Sequence, residues 1–174
     1  AVTTTDSSGN TRTTDTLVVT VTMSGATGGI LSGATVVTSI SGVATFSGLS
    51  VNTVGTDKLL TFSSGALTVN SAQFSIVAGP AAKLTMTTQT SASTVAGVAF
   101  SAQPAVTITD ANGNRRTADT LVVTAAVSIG SLSGNTAAAA VGGVVSFSGL
   151  SVDTAGTGIT LTFTSGGLTS VVSA

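Results

Sequence analysis

The chain has no cysteine, histidine, tryptophan or tyrosine, and only 6% of its 174 residues are charged and 3% aromatic. Each scarcity excludes something. Without histidine or cysteine, nucleophile–base pairs and most metal sites lose their usual residues. Glutamate is absent too, so Asp6, Asp15, Asp57, Asp110, Asp119 and Asp153 are the only side-chain carboxylates. They are spread along the chain at expected turns and strand ends, so no enzyme is expected. Five basic residues give a net charge of -1 and no basic patch of the kind nucleic acid requires. No apolar run approaches the ~18 residues of a membrane-spanning helix, so no membrane insertion is expected. No signal peptide is legible at Ala1, as in a mature or excised chain. Absent cysteine says little about compartment.

What is present is β-sheet material. Hydrophobic residues reach 42%, largely Ala and Val spread among Thr, Ser and Gly. Such composition suits strands broken by turns and differs from that of disordered chains. Scarce Lys and Glu beside abundant Thr, Ser, Gly and Ala is a pattern associated with secreted prokaryotic surface proteins.

The chain is built on a duplication. Asp15-Thr16-Leu17-Val18-Val19-Thr20 returns unchanged at Asp119-Thr120-Leu121-Val122-Val123-Thr124, and Phe46-Ser47-Gly48-Leu49-Ser50-Val51 returns at Phe147-Ser148-Gly149-Leu150-Ser151-Val152. Asp119 minus Asp15 is 104, whereas Phe147 minus Phe46 is 101, so the second copy is three residues shorter. The difference is expected in the loop at residues 23–29. Within each copy the apolar positions recur with a period of two. Leu17, Val19, Val21 and Met23 share one parity, as do Leu121, Val123, Ala125 and Val127. A strand is expected from Ala99 through Pro104 to Ile108. Ala44, Phe46 and Leu49 are expected in one strand, bulged at Gly48. Leu60 and Phe62 form an inward pair, and Leu67 opens a last strand that runs on through Phe74 and Ile76. Phe46 and Phe62, with Phe147 and Phe163, should centre two cores. About seven short strands per ~100 residues, with turn signals between them, predict an all-β sandwich architecture. Gly79-Pro80 marks the junction, giving units at residues 1–79 and 80–174.

Several phrases also resemble a known family. Ala81-Ala82-Lys83-Leu84-Thr85, then Val106-Thr107-Ile108-Thr109-Asp110-Ala111-Asn112-Gly113-Asn114, then Phe147-Ser148-Gly149-Leu150 look like the bacterial immunoglobulin-like repeats of large surface proteins. These are similar to invasin- and intimin-type stalk repeats. The resemblance spans the chain and implies two tandem Ig-like antiparallel β-sandwiches in an extracellular or cell-surface stalk or filament. Its partners would be neighbouring copies or repeats of the same protein. It implies no catalytic residues. An adhesin segment that binds a carbohydrate or a host protein is the alternative.

Measured against the second copy, the first lacks the material of residues 80–104, and the second stops before an equivalent of residues 74–79. An uncovered core and an open sheet edge at Val2, Thr3, Thr4 and Thr5 follow. Two explanations are open. The chain is a window on a longer array, the preferred reading because arrays exceed two units, or subunits complete one another by strand donation.

Candidate chemistry is sparse. Asp110, Asn112 and Asn114 resemble the opening of a calcium loop, but the first copy has Ser8 where Asn112 stands. An Asx-stabilised turn is the expected role, and no cofactor is expected. Arg12 with Asp15, and Arg116 with Asp119, are expected to form surface pairs. Lys58 takes an inward register, equivalent to Ile159. It is read as a strand-end lysine that snorkels to water rather than one poised for an isopeptide cross-link. Thr85 and Thr87, like Thr160, Thr162 and Thr164, are read as the solvent face of a sheet rather than an ice- or crystal-binding row.

Overall fold

A computed structural model describes residues 1–25 and 28–174. Among the described residues every regular element is a strand, and every pairing within a sheet is antiparallel. The chain divides into two compact units, Ala1–Val77 and Ala78–Ala174. The division falls two residues before the junction expected from the sequence, because Ala78 and Gly79 are hydrogen-bonded into the second unit. The residues expected to hold the length difference, 23–29, include Ala26 and Thr27, which lie outside the described residues.

The first unit contains β1 (Val2–Thr3), β2 (Val18–Ser24), β3 (Leu31–Ser32), β4 (Val36–Thr38), β5 (Val43–Ala44), β6 (Ser50–Val51), β7 (Gly55–Ser64), β8 (Leu67–Asn70) and β9 (Phe74–Ile76). The second contains β10 (Lys83–Thr88), β11 (Ala105–Thr109), β12 (Val122–Val127), β13 (Leu132–Ser133), β14 (Ala137–Ala139), β15 (Val144–Ser146), β16 (Ser151–Val152), β17 (Leu161–Thr164) and β18 (Val171–Val172).

The two units repeat their pairings in register. Val2 opposite Ala44 becomes Val106 opposite Val145, and Val21 opposite Phe62 becomes Ala125 opposite Phe163. Leu31 opposite Val51 becomes Leu132 opposite Val152. Only the last hairpin slips. Phe62 faces Val69 and Phe163 faces Val171, and Val171 minus Val69 is 102. The second unit gains that residue in the turn at Gly166 and Gly167. Two strands have no counterpart: β9, which pairs with β7 in the first unit, and β10, which pairs with β11 in the second.

In the second unit, β10-β11-β15 and β14-β12-β17-β18 form two sheets whose inner faces share one core, in the manner of a β-sandwich. Leu84, Val106, Ile108 and Val145 come from the first sheet, and Val123, Ala125, Leu161 and Phe163 from the second. The rings of Phe147 and Phe163 lie 5.1 Å apart at 48°, a tilted contact that suits the aromatic quadrupole. The first unit holds the matching pair, Phe46 and Phe62, also at 5.1 Å. Its core is nevertheless poorly covered. Phe46, Leu49, Leu60 and Phe62 are half-buried, whereas Phe147, Leu150, Leu161 and Phe163 are at most 3% exposed.

Several local expectations are corrected. Residues 99–104 are not strand, and β11 starts at Ala105 after the buried Pro104, whose carbonyl accepts from the Phe147 N–H. Phe46 and Leu49 do not continue β5. The chain turns at Gly48 (φ 66°), and Gly33 packs against the Gly48 carbonyl so closely that any side chain there would collide with it. Gly134 and Gly149 repeat that contact. The run from Leu67 to Ile76 breaks into β8 and β9, because Ser71 turns inward to accept the Leu60 N–H on its hydroxyl. Leu121 lies ahead of β12 and is exposed.

Because their rings hold the same register with different cover, Phe163→Ala is expected to cost about 3–5 kcal/mol, and Phe62→Ala clearly less. Urea denaturation followed by residue-resolved NMR checks this, and equal losses would contradict the difference in burial.

Candidate functional site

The candidate polar groups shape turns. Asp6 Oδ1 accepts from the backbone N–H groups of Ser8 and Asn10, each at 2.9 Å, and Oδ2 from Asn10 Nδ2 at 3.1 Å. Asp110 repeats this arrangement. Its Oδ1 accepts from the Asn112 N–H at 2.9 Å and the Asn114 N–H at 2.8 Å, and Oδ2 from Asn114 Nδ2 at 2.8 Å. Both loops are Asx-type turns. Asp110 differs in being only 3% exposed and in also accepting the Gly79 N–H at 2.9 Å. Burial alone would push its carboxyl up. The amide of Asn114 and the N–H groups of Asn114, Gly79 and Asn112 outweigh that and hold it below the usual carboxylate range. Asp6 is also lowered, first by the Asn10 side chain.

Of the residues that resembled a calcium loop, Asp110 thus directs both oxygens to N–H donors, and Asn114 offers it a donor rather than an oxygen. A cation would have to displace these bonds. Among the described residues no three carboxylates converge.

Arg116 grips Asp119 through two bonds, Nη2 to Oδ1 at 2.8 Å and Nε to Oδ2 at 3.1 Å. Its Nη1 donates to the Gly79 carbonyl at 2.6 Å. Arg12 meets Asp15 at 2.7 Å, but its guanidinium is 53% exposed against 27% for Arg116. The exposed pair is worth ~0–1 kcal/mol. Thr85 and Thr87 spend their hydroxyls on Thr109 and Thr107 across the strand pair.

Lys58 departs from expectation. It does not reach water; it is fully buried, and Nζ donates to the Gly28 carbonyl. The cause is local. β9 pairs Phe74 opposite Lys58, and a side chain at Gly25 would touch Lys58 Cδ, so the stem is enclosed on both sides. Among the described residues the ion pairs are those of Arg12 and Arg116, and Lys58 joins neither.

A groove of about 680 Å³ lies in the first unit. One wall is residues 2–5, the expected complementation edge, and the other is β8 with Ser71. Val19 and Phe62 form part of its floor. The sequence indicated the first wall through the missing strands. It did not indicate Leu67 and Val69, 58% and 50% exposed, as the second. Their role depends on how the last hairpin lies over the core, which alternation alone does not encode.

No family model and no curated protein matches the chain. Among solved structures, the apo form of Bacteroides uniformis beta-glucuronidase 3 aligns over 90% of this chain at 10% identity and a TM-score of 0.42. The chain spans 20% of that protein. A likeness of this size carries no argument about fold or activity.

Three outcomes follow. Because the Asp110 carboxyl is held low in the folded state, its stabilisation is present above the unfolded value of about 3.9. It is lost as pH falls through the lower folded value. Acid titration of the melting temperature should therefore show a drop below about pH 4 that Asp110→Asn reduces; an unchanged acid limb would contradict the role. Chelation should leave the melting temperature unchanged, and a rise on adding calcium would make the Asp110 turn a ligand set. Lys58→Met should raise stability by about 1–2 kcal/mol, because a fully buried polar head group costs more than an apolar side chain of similar length. Loss of stability in urea denaturation would show that the bond to Gly28 outweighs desolvation.

Proposed function

We propose that the chain is a non-catalytic structural module: two tandem Ig-like β-sandwiches from an extracellular stalk or filament of a prokaryotic surface protein, whose partners are further repeats or copies of itself. The observation that carries this reading is the repetition of strand pairing in register in both units, the last hairpin apart. Repeated units of one fold suit a spacer better than a single reactive centre. The placement of the carboxylates supports it. Asp6 and Asp110 organise turns, Asp15 and Asp119 hold arginines, and Asp153 accepts the Ser131 N–H at 2.8 Å. None of the six phenylalanines is in an exposed position where a sugar ring could stack on it. Among the described residues no helix is long and apolar enough to cross a membrane.

The test is location and inertness together. An antibody against the chain should label intact cells of the source organism, and the labelled chain should bind no sugar on a glycan array. Labelling only after permeabilisation would overturn the surface role. Saturable glycan binding would make the chain an adhesin segment instead.

A further inference from the structure

We infer that the groove of the first unit is an acceptor for an extended peptide strand of the Lys83–Thr88 pattern, supplied from outside the two units, which adds antiparallel to residues 2–5 and closes the open core. The inference rests on the structural-module reading, but its test reads peptide binding, whereas cell labelling reads location, so either can fail alone.

The second unit shows what fills the equivalent position. There β10 pairs with β11, placing Lys83 opposite Thr109, Leu84 opposite Ile108, Thr85 opposite Thr107 and Met86 opposite Val106. By the register shared between the units, these partners correspond to Thr5, Thr4, Thr3 and Val2. All four line the groove. β10 also reaches the opposite sheet. The Leu84 N–H donates to the Thr169 carbonyl at 2.9 Å, and the Thr169 N–H to Ala82 at 3.0 Å. The shift of 102 in the last hairpin makes Leu67 the counterpart of Thr169, and Leu67 lies on the groove's far wall.

The apolar contacts match as well. Leu84 is 4% exposed in a core with Val123 and Phe163, both fully buried. Their counterparts Val19 and Phe62 lie in the floor of the groove, and Phe62 is only half-buried. A strand with bulky apolar side chains at alternate positions would restore the missing contacts while its backbone extends the sheet edge. The segment leading into β10 is also anticipated. In the second unit Gly79 is held between Asp110 and Arg116. Asp6 and Arg12, in the turn region that follows β1, offer the same two side chains at exposed positions.

A small molecule fits less well, because the groove runs along the open edge of residues 2–5 and its lining carries no charged side chain. A second copy could supply β10 only by withdrawing Leu84 from its own core.

The test uses the full chain and a synthetic peptide of residues 81–90. Titration followed by NMR should show saturable one-to-one binding, with shifts at residues 2–5, Val19, Phe62 and β8. Leu84→Ser with Met86→Ser in the peptide should weaken binding by roughly tenfold or more, since each buried apolar side chain is worth about a factor of ten. Val69→Glu in the chain, at a position 50% exposed and therefore tolerant, should also weaken binding. No shifts at millimolar peptide would overturn the inference. So would shifts confined to β11 and β18, which would mean strand exchange in the second unit. A dimer that buries residues 2–5 without peptide would assign the groove to a second copy and equally overturn it.

Discussion

Leu84 enters the second core from a strand that hydrogen-bonds to both sheets, to β11 along its length and to Thr169 at its start. That double attachment closes the side of the sandwich. Sheets made of Val, Leu and Phe faces are stable only where those faces are removed from water, at roughly 25 cal/mol per Å². In the second unit the cover is complete, and the residues around Phe163 are almost inaccessible. In the first unit the same registers are present without the covering strand, and the buried apolar set shrinks to Val19, Val21 and Ala44. The difference between the units lies less in their own sequences than in the presence of β10 and of the segment after it, from which Phe100 packs against the core and Gln103 holds Leu150.

The same segment explains how the polar residues are used. Asp110 and Arg116 are each occupied in holding Gly79 and their own turns. Their equivalents Asp6 and Arg12 make the turn and the ion pair but lack the segment that the second unit clasps. Asp153 is likewise engaged by the Ser131 N–H, and Arg115 donates to the Gly142 carbonyl.

Much of this was legible in the sequence. The duplicated Asp-Thr-Leu-Val-Val-Thr supplied the offset, and the period of two placed Val19, Val21, Val123 and Ala125 inward, where they are buried. The offset also exposed the absent strand, because a missing segment is visible wherever a second copy is complete. What was not legible depends on contacts distant in sequence. Gly48 looked like a bulge in a strand but is a turn, since Gly33 brings two backbones together there. Lys58 looked like a strand-end lysine, but β9 and the Gly25 backbone enclose it. The one-residue slip in the last hairpin follows from turn length, and the phrase Phe-x-Ser-Gly-x-Leu is the same in both copies.

The central claim is that the covering segment, β10 with the residues that follow it, decides how well each core is protected. Native-state hydrogen exchange on the full chain tests it directly, at register-matched amides of Val21 and Phe62 in one unit and Ala125 and Phe163 in the other. Burial of Leu84 alone is worth about 1.5–3 kcal/mol, or roughly tenfold and more in opening equilibrium. The account predicts slower exchange by at least roughly that factor in the second unit. Equal protection at the paired positions would contradict it.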